Sequence, residues 1–168
     1  MIVAKFEKVS FEQFKKDWLN QFDDGEDTIK EIYEGIQLPK RATKGSAGYD
    51  FYSPIDYNFN PKQKHKIPTG IRVRIEEGWV LQIVPRSSLG FKYGLRLSNT
   101  VGVIDADYYH SDNEGHMMVS LICDNEENKG LHLEKGSAFA QGIFLPFGIT
   151  EDDDATEIRN GGFGSTNK

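Results

Sequence analysis

The chain has 168 residues, 38% of them hydrophobic, and a formal net charge of −6; this is ample for one domain with a core. The acidic balance argues against a protein that coats duplex DNA or RNA, since a phosphate backbone demands a basic face, but a small anion needs only a local pocket of Arg, backbone N–H groups and a metal ion. No apolar run nears the roughly 18 residues of a membrane span, the N-terminus lacks the pattern of a signal peptide, and the single cysteine, Cys123, excludes a disulfide framework, so a cytoplasmic compartment is expected.

Phe11, Phe14, Trp18 and Phe22 recur at spacings of three and four and share one helix face. Ser10 and Gln13 fit a capping box at the start of that helix. A second short helix carries Ile29, Ile32 and Tyr33 and stops at Gly35. The aromatic stripe reads as packing against the body, with a partner-binding surface as the alternative. From Gln37 onward the texture is β. Ile71–Ile75 alternates strictly, and Trp79–Val84, Met117–Ile122 and Ala138–Pro146 are further strands. Gly and Pro punctuate them, which suggests an antiparallel sandwich, barrel or jelly roll. Glu151–Asp154 is an acidic run that reads as a solvated, mobile segment.

Several segments carry groups suited to chemistry. Asp50 is a lone acid in the run Ser46–Ser53, either a turn residue or a ligand to something positive. Arg86, Ser87 and Ser88 follow the apolar strand ending at Val84; an Arg fork beside two hydroxyls suits phosphate oxygens, and an exposed surface turn is the alternative. In Asn99–Tyr108 (NTVGVIDADY), Asp105 and Asp107 alternate, so in a strand both project to one face. A carboxylate there is either an Asx-type turn at a strand end or a functional group able to activate water. A hairpin at this point can read a base with its backbone groups, as Asn99 can with its amide. Gln141 is a polar group in the apolar strand Ala138–Pro146, facing outward or toward a ligand. His110 and His116 flank Asp112 and Glu114, but no zinc-type spacing such as His-Glu-x-x-His is present and no metal site is expected there. In the tail Arg159–Lys168, glycines bracket Phe163. It is either a disordered end or a lid whose N–H groups and hydroxyls wrap phosphates while Phe163 lies flat on a base.

Taken in order, these segments resemble the five motifs of the trimeric dUTPase family. Ala47–Ser53 (AGYDFYS) looks like the first, Pro85–Gly90 (PRSSLG) the second and Val101–Tyr108 (VGVIDADY) the third. Gly136–Gln141 (GSAFAQ) looks like the fourth and Gly161–Thr166 (GGFGST) the fifth. The resemblance runs from about Gln37 to the end. It implies an all-β fold, a distorted jelly roll or β-barrel with a small helical N-terminal insertion. The whole chain, 1–168, is then one domain: a strand plus helical insertion over 1–36, a β body over 37–150 and a flexible arm over 151–168. The family assembles as a homotrimer with active sites shared between subunits, and the arm closes over a neighbour's site.

The reaction the resemblance implies is dUTP plus water giving dUMP and pyrophosphate, with Mg²⁺. By position, Asp105 matches the residue that binds the 3′-hydroxyl and orients the attacking water. Asn99 and the hairpin after it, with Gly102 and Ile104, match the uracil-reading element. Tyr108 matches the residue packed under deoxyribose, where a 2′-hydroxyl would clash. Arg86, Ser87 and Gln141 match phosphate contacts, with Ser88 beside them as the other hydroxyl that could touch the phosphates, and Asp50 matches the carboxylate associated with metal-bound water. Phe163 matches the ring stacked on uracil, Ser165 and Thr166 match γ-phosphate donors, Gly164 counts with them among the substrate-binding residues, and Arg159 stands where a further phosphate contact is found. Departures from the pattern are Ser88 where Gly is usual, Ala138 where Arg is frequent, Arg159 one residue closer to the glycine pair, and a longer loop over Tyr109–Gly115. A dCTP deaminase of the same fold is the alternative enzyme, though Asp107-Tyr108 stands where that family has a Gly-aromatic pair. A regulatory module binding an unidentified protein through the N-terminal helices is the alternative outside enzymes. Neither a nucleic-acid polymer nor a membrane is expected as a partner.

Overall fold

Short strands dominate the computed structural model, which describes residues 1–157. In chain order they and the helices are β1 (Ala4–Lys8), α1 (Phe11–Leu19), α2 (Glu26–Glu34), β2 (Lys40–Arg41), β3 (Tyr49–Tyr52), β4 (Tyr57–Phe59), β5 (Lys64–Pro68), β6 (Ile71–Ile75), β7 (Trp79–Pro85), α3 (Ser87–Tyr93), β8 (Leu95–Leu97), β9 (Gly102–Ile104), β10 (Met118–Cys123), β11 (Leu131–Leu133) and β12 (Ala138–Pro146). A 3-10 turn, Ala106–His110, lies between β9 and β10. The largest sheet has the order β2-β3-β12-β7-β9, and β5-β10-β8 forms a second. The pairs β1-β6 and β11-β4 complete the described strands. Every named strand pair is antiparallel. Phe51, Phe59, Leu81, Leu95, Leu121 and Phe139 fill one continuous core between the sheets, as expected of a distorted all-β jelly roll.

The alternation in Ile71–Ile75 produces a strand with Ile71, Val73 and Ile75 buried and Arg72 and Arg74 turned outward. Ala138–Pro146 forms β12 with the bounds its pattern predicts. Two local expectations are corrected. The segment after Arg86 is not a simple turn: Ser87–Tyr93 forms a helix closed by Gly94 in the left-handed conformation, φ 60°. The strand carrying the third motif ends at Ile104, so Asp105 and Asp107 do not share a strand face; Asp105 caps the 3-10 turn and Asp107 lies exposed within it.

The aromatic stripe of α1 is turned inward. Phe14 and Trp18 are fully buried, Trp18 stacks on Phe22 with ring centroids 4.4 Å apart, and Phe22 meets Tyr57 on β4 edge-on. The polar face of α1 is the exposed one, so the stripe is not a docking surface. Ser10 Oγ accepts from the Gln13 N–H at 3.1 Å, which is half of the predicted capping box. The other half differs, because Gln13 Nε2 donates to Asp17 and does not return to Ser10.

Candidate active site

Three adjacent strands of the large sheet assemble the first group of predicted residues. In the register of β3, β12 and β7, Gln141 lies opposite Asp50 on one side and opposite Val84 on the other. Arg86 follows β7 directly and caps α3. Its Nε sits 3.4 Å from Asp50 Oδ1, and the Asp50 carboxyl is mostly shielded from solvent while the guanidinium is not. Gln141 Nε2 donates to the Pro85 carbonyl at 3.3 Å, which leaves its Oε1 toward Gly48. Asp50, Arg86, Ser87, Ser88 and Gln141 line one cleft of about 540 Å³. Ser46, Ala47 and Gly48 form its opposite lip. A guanidinium, hydroxyls and an amide around an open cleft are donors suited to phosphate oxygens.

A second pocket, of about 280 Å³, opens at the tight hairpin turn between β8 and β9, which lie in different sheets and are joined by the single bridge Leu97–Thr100. Asn99, Gly102 and Ile104 line it together with Ile83, Leu97 and Met117, an apolar slot with few polar groups, as planar ligands prefer. Sequence reasoning missed Lys66, Ser98, Met118 and Ser120, which also line it. They come from β5, β10 and the hairpin edge, and no local motif marks them. The hairpin tip is strained: Thr100, a β-branched residue, has φ 70°, held by its N–H to Leu97 O at 3.0 Å and by Val101 N–H to Asn99 O at 2.8 Å. Such outliers cost about 1–3 kcal/mol and persist where the fold over-determines them.

Asp105 and Tyr108 follow this hairpin. Tyr108 is buried, at 2% exposure, with its hydroxyl donating to the His116 carbonyl at 2.8 Å. One chain does not unite the two groups. Leu81 on β7 pairs with Ile104, the last residue of β9, so Asp105 lies one residue beyond that pair on the side away from Arg86, about six residue steps from it along β7. At about 3.3 Å per residue the two backbone positions stand about 20 Å apart along the strand. Arg159, Phe163, Gly164, Ser165 and Thr166 lie outside the described residues. Among the described residues no three His, Cys, Asp or Glu side chains gather to hold a metal ion. His116 faces Asp17 and Gly70 rather than His110.

A family model described as dUTPase matches residues 34–167. The deoxyuridine 5′-triphosphate nucleotidohydrolase of Lactococcus lactis subsp. lactis (strain IL1403) is 44% identical over 135 residues, covering 79% of this chain and 89% of that one. The enzyme of the same name from Psychromonas ingrahamii is 41% identical over 145 residues, covering 82% and 91%. Among solved structures, the dUTPase from Streptococcus mutans superposes with a TM-score of 0.64 at 31% identity, covering 87% of this chain and 98% of that chain. A dUTPase of phage phi11 of S. aureus, described with a structural Mg(II) ion, shares the fold with a TM-score of 0.64 at 20% identity, covering 93% and 98%.

Proposed function

The chain belongs to the dUTPase family and is a hydrolase acting on dUTP, and from that premise we propose a site shared between copies of the chain, in which water attacks the α-phosphorus. One observation carries the reading: Arg86 follows one end of β7, while Asp105 lies beyond the last β7-β9 pair toward the other end, about 20 Å away along the strand. Arg86 of one copy and Asp105 of another then face one substrate. A homotrimer provides three such sites in a closed ring. The large apolar side chains exposed on a single chain, Phe91, Val103, Phe147 and Ile149, support contact between copies.

In this reading the hairpin pocket takes uracil, with Asn99 and the backbone at Gly102 and Ile104 reading its edge. Tyr108 packs under deoxyribose. Arg86, Ser87, Ser88 and Gln141 hold phosphate oxygens. Asp105 holds the 3′-hydroxyl and orients the water, accepting its proton as the new P–O bond forms and the bond to the β-phosphate oxygen breaks. Products are dUMP and pyrophosphate. Holding the water in line and neutralising the oxygens supplies most of the rate, as for phosphoryl transfer generally. The arm, which the family match includes up to residue 167, brings Phe163 over uracil. Gly164, Ser165, Thr166 and Arg159 then reach the outer phosphates.

The donor set fits a Mg²⁺ ion carried by the triphosphate, since the described residues offer no three-acid cage and Asp50 alone stands at the cleft, able to meet the ion's water. Bound to the substrate, Mg²⁺ neutralises phosphate oxygens and polarises the phosphorus. The domain is one unit over 1–168, with the helical insertion and the arm as its appendages. A cytoplasmic location suits the buried, unpaired thiol of Cys123.

The test is pyrophosphate release. With Mg²⁺ the protein cleaves dUTP well and dTTP or UTP poorly, and Asp105→Asn lowers kcat by about 100-fold or more. Ammonia from dCTP without pyrophosphate from dUTP would overturn the reading.

A further inference from the structure

Residues 1–33 precede the family match, and α1, which lies within them, grips the hairpin side of the site through one loop. Residues 109–116 continue from the turn that Asp105 caps, and they are fastened to α1 at two points. At the first, Glu114 accepts from the Ser10 N–H through Oε2 and from the Ser10 hydroxyl through Oε1, each at 2.7 Å. Glu114 thus supplies the carboxylate of the capping box that Gln13 leaves incomplete. It does so from a left-handed backbone conformation, φ 58°, which costs a non-glycine residue about 1 kcal/mol. At the second point, Asp17 Oδ2 lies 2.6 Å from His116 Nδ1, while His116 Nε2 accepts the Gly70 N–H at 2.8 Å. The ring proton therefore sits on Nδ1 and points at Asp17. His116 is fully buried, and the Phe14 ring of α1 packs beside it.

The loop in turn holds Tyr108. Its hydroxyl donates to the His116 carbonyl at 2.8 Å and accepts from Asn113 Nδ2 at 2.8 Å. Ser111 Oγ donates to the Tyr108 carbonyl at 2.7 Å. Tyr108 is thus tied to the loop and the loop to α1, with further ties from the Tyr109 hydroxyl to Glu7 on β1 and from Arg72 on β6 to Tyr109 and Glu114.

We propose that Asp17 and His116 are positioning residues for sugar selection: α1 grips the His116 ring, fixes the carbonyl that tethers Tyr108, and so sets how firmly the site rejects a 2′-hydroxyl. The inference rests on the reading of Tyr108 as the floor under deoxyribose. Exclusion by a clash is only as strong as the wall is stiff, because a wall that gives way accepts the larger sugar.

The experiment measures kcat/KM for dUTP and for UTP, by pyrophosphate release with Mg²⁺, in full-length variants. Asp17→Ala raises the UTP-to-dUTP ratio about tenfold, the scale on which one small group is discriminated by packing. Asp17→Asn keeps an oxygen for the His116 proton and holds the ratio near that of the parent. Glu114→Gln, at the partly exposed first tether, moves the ratio in the same direction by less, and it carries the test if Asp17→Ala does not fold. Equal losses on both substrates in Asp17→Ala and Glu114→Gln, with the ratio unchanged, would mean that α1 only stabilises the fold. Tyr108→Ala separates the two levels. If it shifts the ratio and Asp17→Ala does not, the positioning role falls; if it leaves the ratio unchanged, the sugar reading itself falls.

Discussion

Gly48 is a glycine on account of Gln141. A Cβ built there would lie 2.4 Å from Gln141 Oε1 and 3.3 Å from its Cδ. The obstructing atom is the end of a flexible side chain, so Gly48→Ala moves the amide rather than breaking the sheet. Gln141 would then leave the cleft it shares with Arg86 and Asp50. A lost hydrogen bond to a charged phosphate is worth about 1.5–3 kcal/mol. Gly48→Ala therefore keeps a melting temperature close to that of the parent and lowers kcat/KM for dUTP at least about tenfold. Unchanged kinetics would remove Gln141 from the phosphate contacts. Gly142 is the contrast: a Cβ there would meet Leu81 Cδ1 at 2.8 Å and Phe51 Cε2 at 3.0 Å, atoms of the packed core, so substitution there disturbs stability. The sequence names Asp50, Arg86 and Gln141 as polar groups with two readings each. It does not show that they meet, because their contact is set by the register of β3, β12 and β7 across distant parts of the chain.

At the scale of elements, α1 is held by two carboxylates whose charge the fold favours. Burial pushes the Asp17 carboxyl up, but the hydrogen bonds from His116 and Gln13 outweigh it and hold the group below its ordinary value of 3.8. Burial likewise raises Glu114, and the Ser10 N–H and hydroxyl outweigh it, holding Glu114 below 4.5. A depressed carboxylate stabilises the fold above its unfolded value, and that stability is lost as pH falls through the folded value. The double variant Asp17→Asn, Glu114→Gln therefore melts a few degrees below the parent at pH 7, as expected for a loss of about 1 kcal/mol or more. The gap stays constant down to about pH 5 and closes on acidification below the ordinary carboxylate range. Melting curves from pH 7 to 3 check this, and a gap independent of pH would show that these charges contribute nothing. The helix itself is legible from its aromatic period, because that face is the buried one. Its partner is not, because Glu114 lies 104 residues from Ser10 in sequence. The helix α3 is illegible for another reason. None of its residues is buried, so Ser87–Tyr93 carries no apolar stripe to betray the helical period.

At the scale of the whole molecule, the separation along β7 can be tested without a structure of the assembly. Asp105→Asn and Arg86→Ala each disable every site in a pure preparation. If a site takes Asp105 from one copy and Arg86 from the next, a mixed ring regenerates sites that carry both parent groups. With equal amounts and random assembly, each site draws its two contributions independently, so about a quarter of parental activity returns on mixing. Co-expression of the two variants, assayed as the whole mixture beside each variant expressed alone, measures that recovery. A site built within one chain predicts no recovery at any ratio. The mass of the parent in solution supplies the ring size, which the recovered fraction alone does not: three chains for the proposed trimer, whereas a monomer would leave Asp105 and Arg86 on opposite ends of the strand with no route to one substrate.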